Sequence, residues 1–111
     1  MTFSIPYSEK SQGRISLEVE IQRVASAYGF APKILDVNYC EAECVITTEE
    51  IYGFCPENTE SSWDDILSIT SLLFNLEGIY FNKPVLQDFI EEDGRIYIIN
   101  FSNACYKHGR Q

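Results

Sequence analysis

Apolar positions along the chain change their spacing several times, and each change marks an element. "MTFSIPYS" reads as a short strand ending at Pro6, and the polar "EKSQG" follows as a connector. Leu17, Ile21, Val24, Ala25 and Tyr28 then recur at helical spacing. That predicts an amphipathic helix over residues 14–28, stopped by Gly29. "APKILDVNYC" and "ECVITTEEIYG" are rich in β-branched and aromatic residues, with a polar turn between them, and predict an antiparallel hairpin. "FCPENTESS" is a loop in which Ser62-x-x-Asp65 resembles a capping box. The apolar residues of 63–76 (Trp63, Ile66, Leu67, Ile69, Leu72, Leu73, Phe74 and Leu76) span a face too wide for a surface helix. This second helix is expected to be the buried centre of the domain. Gly78 ends it, and "VLQDFI" and "RIYIINF" form two strands joined at Asp93-Gly94, a tight-turn signal.

The order is strand, helix, two strands, helix, two strands, with no internal repeat or low-complexity tract. At 111 residues the chain is expected to form one α+β domain. Hydrophobic residues at 45% exclude intrinsic disorder despite a net charge of −9. That charge argues against nucleic acid, which needs a basic surface, and against an anionic membrane surface. Residues 1–10 do not read as a signal peptide, and no apolar run is long enough for a membrane span. Four cysteines without an export signal are expected to be free thiols in an intracellular protein.

Composition and periodicity stop there; local motifs go further. "GIYFNKPVLQDFIEEDGRIYIINFSNA" lies without a gap on a pattern like "GIxHxDxxxxNFxxxDGxIYIIDFGxA". The chain thereby resembles a protein-kinase-like domain, with its nearest likeness among compact kinases of large DNA viruses and small atypical kinases. "LEVEIQRVASAYGFAPKILDV" is similar to the helix that carries the active-site Glu and the strand after it. "CVITTEEIYG" is similar to the strand entering the hinge, so the likeness runs from about Ile5 over nearly the whole chain. The resemblance implies a minimal kinase-like fold lacking the Gly-rich-loop strands and most of the helical C-lobe.

The departures from that pattern decide the expected activity. Phe81 stands at the motif His, and Lys83 at the catalytic Asp that accepts the proton of the attacking hydroxyl. An ammonium has no lone pair for that task at neutral pH. Asp88 stands at the metal-binding Asn and Asn100 at the metal-binding Asp, and Ser102 replaces the Gly. Glu18 falls at the place of the helix Glu, but "TFSIP" offers it no lysine, and Lys10 lies in the connector beyond. Glu18, Asp88 and Asn100 remain as weak candidates for nucleotide binding, since a carboxylate and an amide oxygen can serve magnesium beside phosphates and water. No catalytic residue, cofactor or metal is expected.

Other constellations give way to plainer readings. Cys40-x-x-x-Cys44 and Cys105-x-x-His108 have zinc-ligand spacing, but in the kinase-like register the pairs lie far apart. Cys40, Cys44 and Cys55 are then expected to be small buried hydrophobes. His108 reads as a solvated tail residue. Asp64-Asp65 suits a helix N-terminal turn, and Glu91-Glu92-Asp93 belongs to the hairpin. Phe3, Tyr7, Phe30, Tyr52 and Phe54 are assigned to core packing.

The expectation is a catalytically inactive kinase-like protein that acts by protein binding, as a mimic or inhibitor of a kinase. Weak phosphotransfer or nucleotide binding, and a structural role in a virus particle or scaffold, are its rivals. The interface is expected where missing kinase parts would pack: the first strand's edge at Phe3, Ile5 and Tyr7, and the open side of the "GRIYIINF" hairpin. Pairing with a second copy or a partner kinase would cover that edge, and Ile5→Pro is expected to disturb it.

Overall fold

The computed structural model describes residues 1–8 and 11–107; Lys10 and His108 lie outside them. The chain forms β1 (Thr2–Pro6), α1 (Gln12–Ala27), β2 (Ile34–Tyr39), β3 (Glu43–Thr48) and α2 (Glu60–Glu77). β4 (Ile79–Phe81), a 3-10 turn (Leu86–Asp88), β5 (Phe89–Glu92), β6 (Arg95–Ile98) and β7 (Ala104–Tyr106) follow. The described residues make a small α+β fold of two α-helices and three antiparallel sheets.

The larger sheet has the order β1-β3-β2, so the central strand is the third in sequence. Phe3 faces Ile46, and Ile5 faces Cys44 across the ladder. Tyr7 N–H donates to the Ala42 carbonyl at 3.0 Å, and Thr48 N–H to the Met1 carbonyl at 2.7 Å. Antiparallel alternation therefore directs the backbone groups of Phe3 and Ile5 toward β3 and those of Thr2, Ser4 and Pro6 toward the open side. This corrects the expected test: proline at Ile5 would break the ladder rather than trim the edge. The opposite edge, β2, carries a bulge between Ile34 and Asp36 that resets its register.

α1 begins earlier than expected, at Gln12, and ends where Gly29, at φ 80°, lets its N–H reach the Ser26 carbonyl at 2.9 Å. The helix serves two cores. Ile15 packs with Ile34, Cys44 and Ile46 under the large sheet, with Val19 against them. Ile21 and Ala25 join the larger cluster with Ile66, Leu73, Ile79, Phe89, Ile98 and Phe101.

α2 departs from its expected role. Thr59, not Ser62, is the cap: its hydroxyl oxygen accepts from Ser62 N–H at 3.1 Å. Only Ser62, Ile66 and Leu73 are buried along it, while Leu67 and Leu76 are 57% and 59% exposed. The wide apolar face thus covers the core on one side and faces outward on the other, so the helix is not the enclosed centre.

The last third holds further differences. Asp93 and Gly94, at φ 52° and 78°, make the expected hairpin turn between β5 and β6. Residues 86–88 coil into the 3-10 turn instead of extending the strand, and β4 pairs with β7, two strands the sequence pattern did not reveal. The hairpin is not open either. Phe54 exchanges backbone bonds with Glu91 on one side, and Ile98 N–H donates to Phe30 on the other. No described helix is long and apolar enough to cross a membrane.

Candidate functional site

The turn chemistry of Asp88 builds the first part of the site. Its buried carboxylate accepts from Val85 N–H through Oδ2 at 3.0 Å, closing the 3-10 turn. Oδ1 accepts from the Asn100 side-chain amide at 2.9 Å. Its carbonyl receives Ile99 N–H at 2.9 Å and Asn100 N–H at 3.3 Å. Asn100 is itself committed, because its Oδ1 accepts from Ser102 N–H at 3.0 Å. The two residues expected to share a ligand are therefore brought together, but turned toward each other. The amide presents its NH2 to the carboxylate, whereas a shared cation would need both oxygens facing it.

Glu18 is held from its own helix. Arg14 Nε lies 3.2 Å from its Oε2, one turn away. The same guanidinium donates through Nη2 to the carbonyls of Phe101 at 3.0 Å, Ala104 at 2.8 Å and Ser102. Arg14 thus ties α1 to the segment after β6. The sequence reading passed over it, although its i,i+4 spacing to Glu18 was visible; the three carbonyls came from a distant, irregular segment.

A cleft of about 420 Å³ opens between the large sheet, α1 and that segment. Phe3, Ile5 and Ile46 line it from the sheet, Glu18 from α1, and Ile99 and Asn100 from the far wall. Among the described residues no lysine or arginine lines it, so the cleft offers a carboxylate, neutral polar groups and apolar surface where a polyphosphate would need cations. Tyr7 is not part of it and packs on Tyr39 with ring centroids 5.1 Å apart.

No protein-family model matches this chain, and no curated protein is significantly similar to it. The site is thus read from its own geometry.

The remaining expected positions lie apart from the cleft. Phe81 is half-buried on β4, its ring 6.0 Å from that of buried Phe101, so it packs. Lys83 is exposed in the loop after β4 at φ 50°. Among the cysteines only Cys44 is buried, and burial, then the neighbouring Cys40, pushes its thiol pKa up. Cys40 and Cys55 are exposed, against expectation. Tyr52 and Phe54, assigned to the core, are 76% and 84% exposed. Among the described residues no group of three or more His, Cys, Asp or Glu side chains is placed to hold a metal ion.

Proposed function

We propose that the chain is a catalytically inactive, kinase-like protein that acts by binding another protein, as a mimic or inhibitor of a kinase. The observation that carries this reading is the closure of Asp88 and Asn100 on each other. Both carboxylate oxygens of Asp88 already accept hydrogen bonds, and the Asn100 oxygen is held by Ser102. Opening the pair for a cation would give up the hydrogen bonds from Val85 and Ser102 N–H, about 0.5–1.5 kcal/mol each at these solvent-accessible positions.

Two further observations support it. Glu18 is occupied by Arg14, not by a strand lysine, and among the described residues no lysine or arginine lines the cleft beside it. Lys83 sits on an exposed loop, where a lysine supplies hydrogen-bond donors and not the acceptor that the pattern's Asp provides. Of the positions that the kinase-like pattern assigns to chemistry, Phe81 packs on Phe101, and Asp88 and Asn100 hydrogen-bond each other and nearby backbone.

Incubation with labelled ATP, magnesium and generic protein substrates tests the reading. No transfer above a protein-free blank is expected. Transfer that scales with the protein and vanishes in Asn100→Ala would overturn it.

A further inference from the structure

We propose that the bare edge of β1 and the cleft beneath it together take an extended, basic segment of another protein. The segment joins the sheet as a fourth strand and sets a lysine or arginine side chain against Glu18. This rests on the non-catalytic reading, because it gives the cleft to a peptide side chain and not to a nucleotide.

The two edges of the large sheet differ in how they are protected. β2 carries a bulge at Ile34/Asp36 and places exposed Asp36 and Asn38 along its run. Bulges and inserted charges are the devices that stop an edge from recruiting a strand. β1 has neither, and its edge proline, Pro6, stands only at the strand's end: its register with β3 is unbroken from Thr2 to Pro6, and residues 2–6 carry no charge. Thr2 and Ser4 turn free N–H and C=O groups outward, and only Pro6 lacks its donor. Among the described residues no strand pairs with that side. One edge is guarded and the other is available.

The cleft supplies selectivity to that edge. Phe3 and Ile5 belong to β1 and line the cleft as well, so every second side chain of an added strand would fall beside them. Phe3 and Ile99, both on the cleft wall, are 37% and 39% exposed, leaving apolar surface for the aliphatic stem of a long side chain. Glu18 lines the same cleft from α1 with Oε2 held by Arg14, and no hydrogen bond occupies Oε1 among the described residues. A lysine or arginine fits both features: the stem covers Phe3 and Ile99 while the charged head reaches the carboxylate. The chain's net charge of −9 favours the approach of a basic segment. It disfavours a second copy, whose own β1 has no cation to offer Glu18.

Fluorescence polarisation with a labelled Val-Lys-Val-Lys-Val-Lys peptide tests the proposal on the full chain. Saturable binding is expected at physiological salt, and none to the Val-Glu-Val-Glu-Val-Glu counterpart. Glu18→Gln should weaken the lysine peptide about tenfold, the loss of one charged hydrogen bond. Ser4→Pro, which removes an outward donor, should weaken it by a similar factor while circular dichroism stays unchanged. Methylating alternate amides of the peptide should do the same without altering the protein, so the test survives if Ser4→Pro fails to fold. Equal binding of the methylated peptide would reduce the effect to charge attraction and overturn strand addition. A sedimenting dimer that Ser4→Pro dissolves would give the edge to a second copy and overturn the basic partner. Absence of peptide binding together with absence of any nucleotide response would remove this inference alone. Displacement of the peptide by magnesium-ATP would remove the non-catalytic reading with it.

Discussion

Asp88 and Asn100 on one side, and β1 with its cleft on the other, treat their polar groups in opposite ways. At Asp88 each carboxylate oxygen and the carbonyl accept bonds from Val85, Ile99 and Asn100, so the residue ties a turn to the strand that follows. At β1 the outward groups of Thr2 and Ser4 meet no strand among the described residues, and Glu18 keeps one oxygen without a described donor. Side chains whose types suit metal and phosphate are spent on holding the fold. Backbone groups with no chemistry of their own are left free. The polar groups left without a described partner thus lie along a strand edge, whereas those of the Asp88–Asn100 pair are satisfied within the fold.

The largest expected effect sets the floor beneath both regions. Leu73 is 1% exposed in the larger core. Leu73→Asp would bury an unpaired charge there, at a cost of several kcal/mol, on the order of the stability of a small domain. Loss of the helical circular dichroism signal is expected; a folded variant would mean that α2 turns a different face inward.

Asp88→Ala sharpens the contrast next. It strips the partners from Val85 N–H and the Asn100 amide, and should cost about 2–4 kcal/mol in urea unfolding. A loss under about 0.5 kcal/mol, the range of an ordinary surface change, would mean that the closed pair is not structural. Arg14→Ala follows, since Arg14 joins α1 to the 101–104 segment beside the cleft. About 1–3 kcal/mol is expected from the lost charged bonds to carbonyls, and no loss would detach α1 from that segment. Lys83→Gly is the smallest change. Its φ of 50° suits glycine, so the variant should be neutral or more stable by up to about 1 kcal/mol. Marked destabilisation would show that the lysine side chain holds something.

What the sequence made legible follows from how local its causes are. Gly29, Gly78 and Asp93-Gly94 were read correctly because a positive φ is a demand of single residues. The β2–β3 hairpin and both helices were visible in their spacing. β4 and β7 were not, because each is three residues long and gains its strand character only from a partner about 25 residues away. The burial of α2 was overread, since periodicity counts apolar residues but does not say what covers Leu67 and Leu76. Within the site, the meeting of Asp88 with Asn100 was implied by the resemblance to the kinase pattern. Which way the amide faces was not, because that depends on Ser102 N–H competing for its oxygen. The exposure of Tyr52 and Phe54 likewise follows from the path of their segment past Glu91, where Gly53 leaves no room for a Cβ beside the Glu91 carbonyl.

The most direct test of the account is calorimetric titration of the full chain with ATP, with and without magnesium. A closed Asp88–Asn100 pair and a cleft lined by no lysine or arginine among the described residues predict no saturable heat in either titration, and no rise in melting temperature at millimolar nucleotide. A saturable, magnesium-dependent heat that Asn100→Ala abolishes would contradict the account, because the pair would then open to hold a metal-bound phosphate.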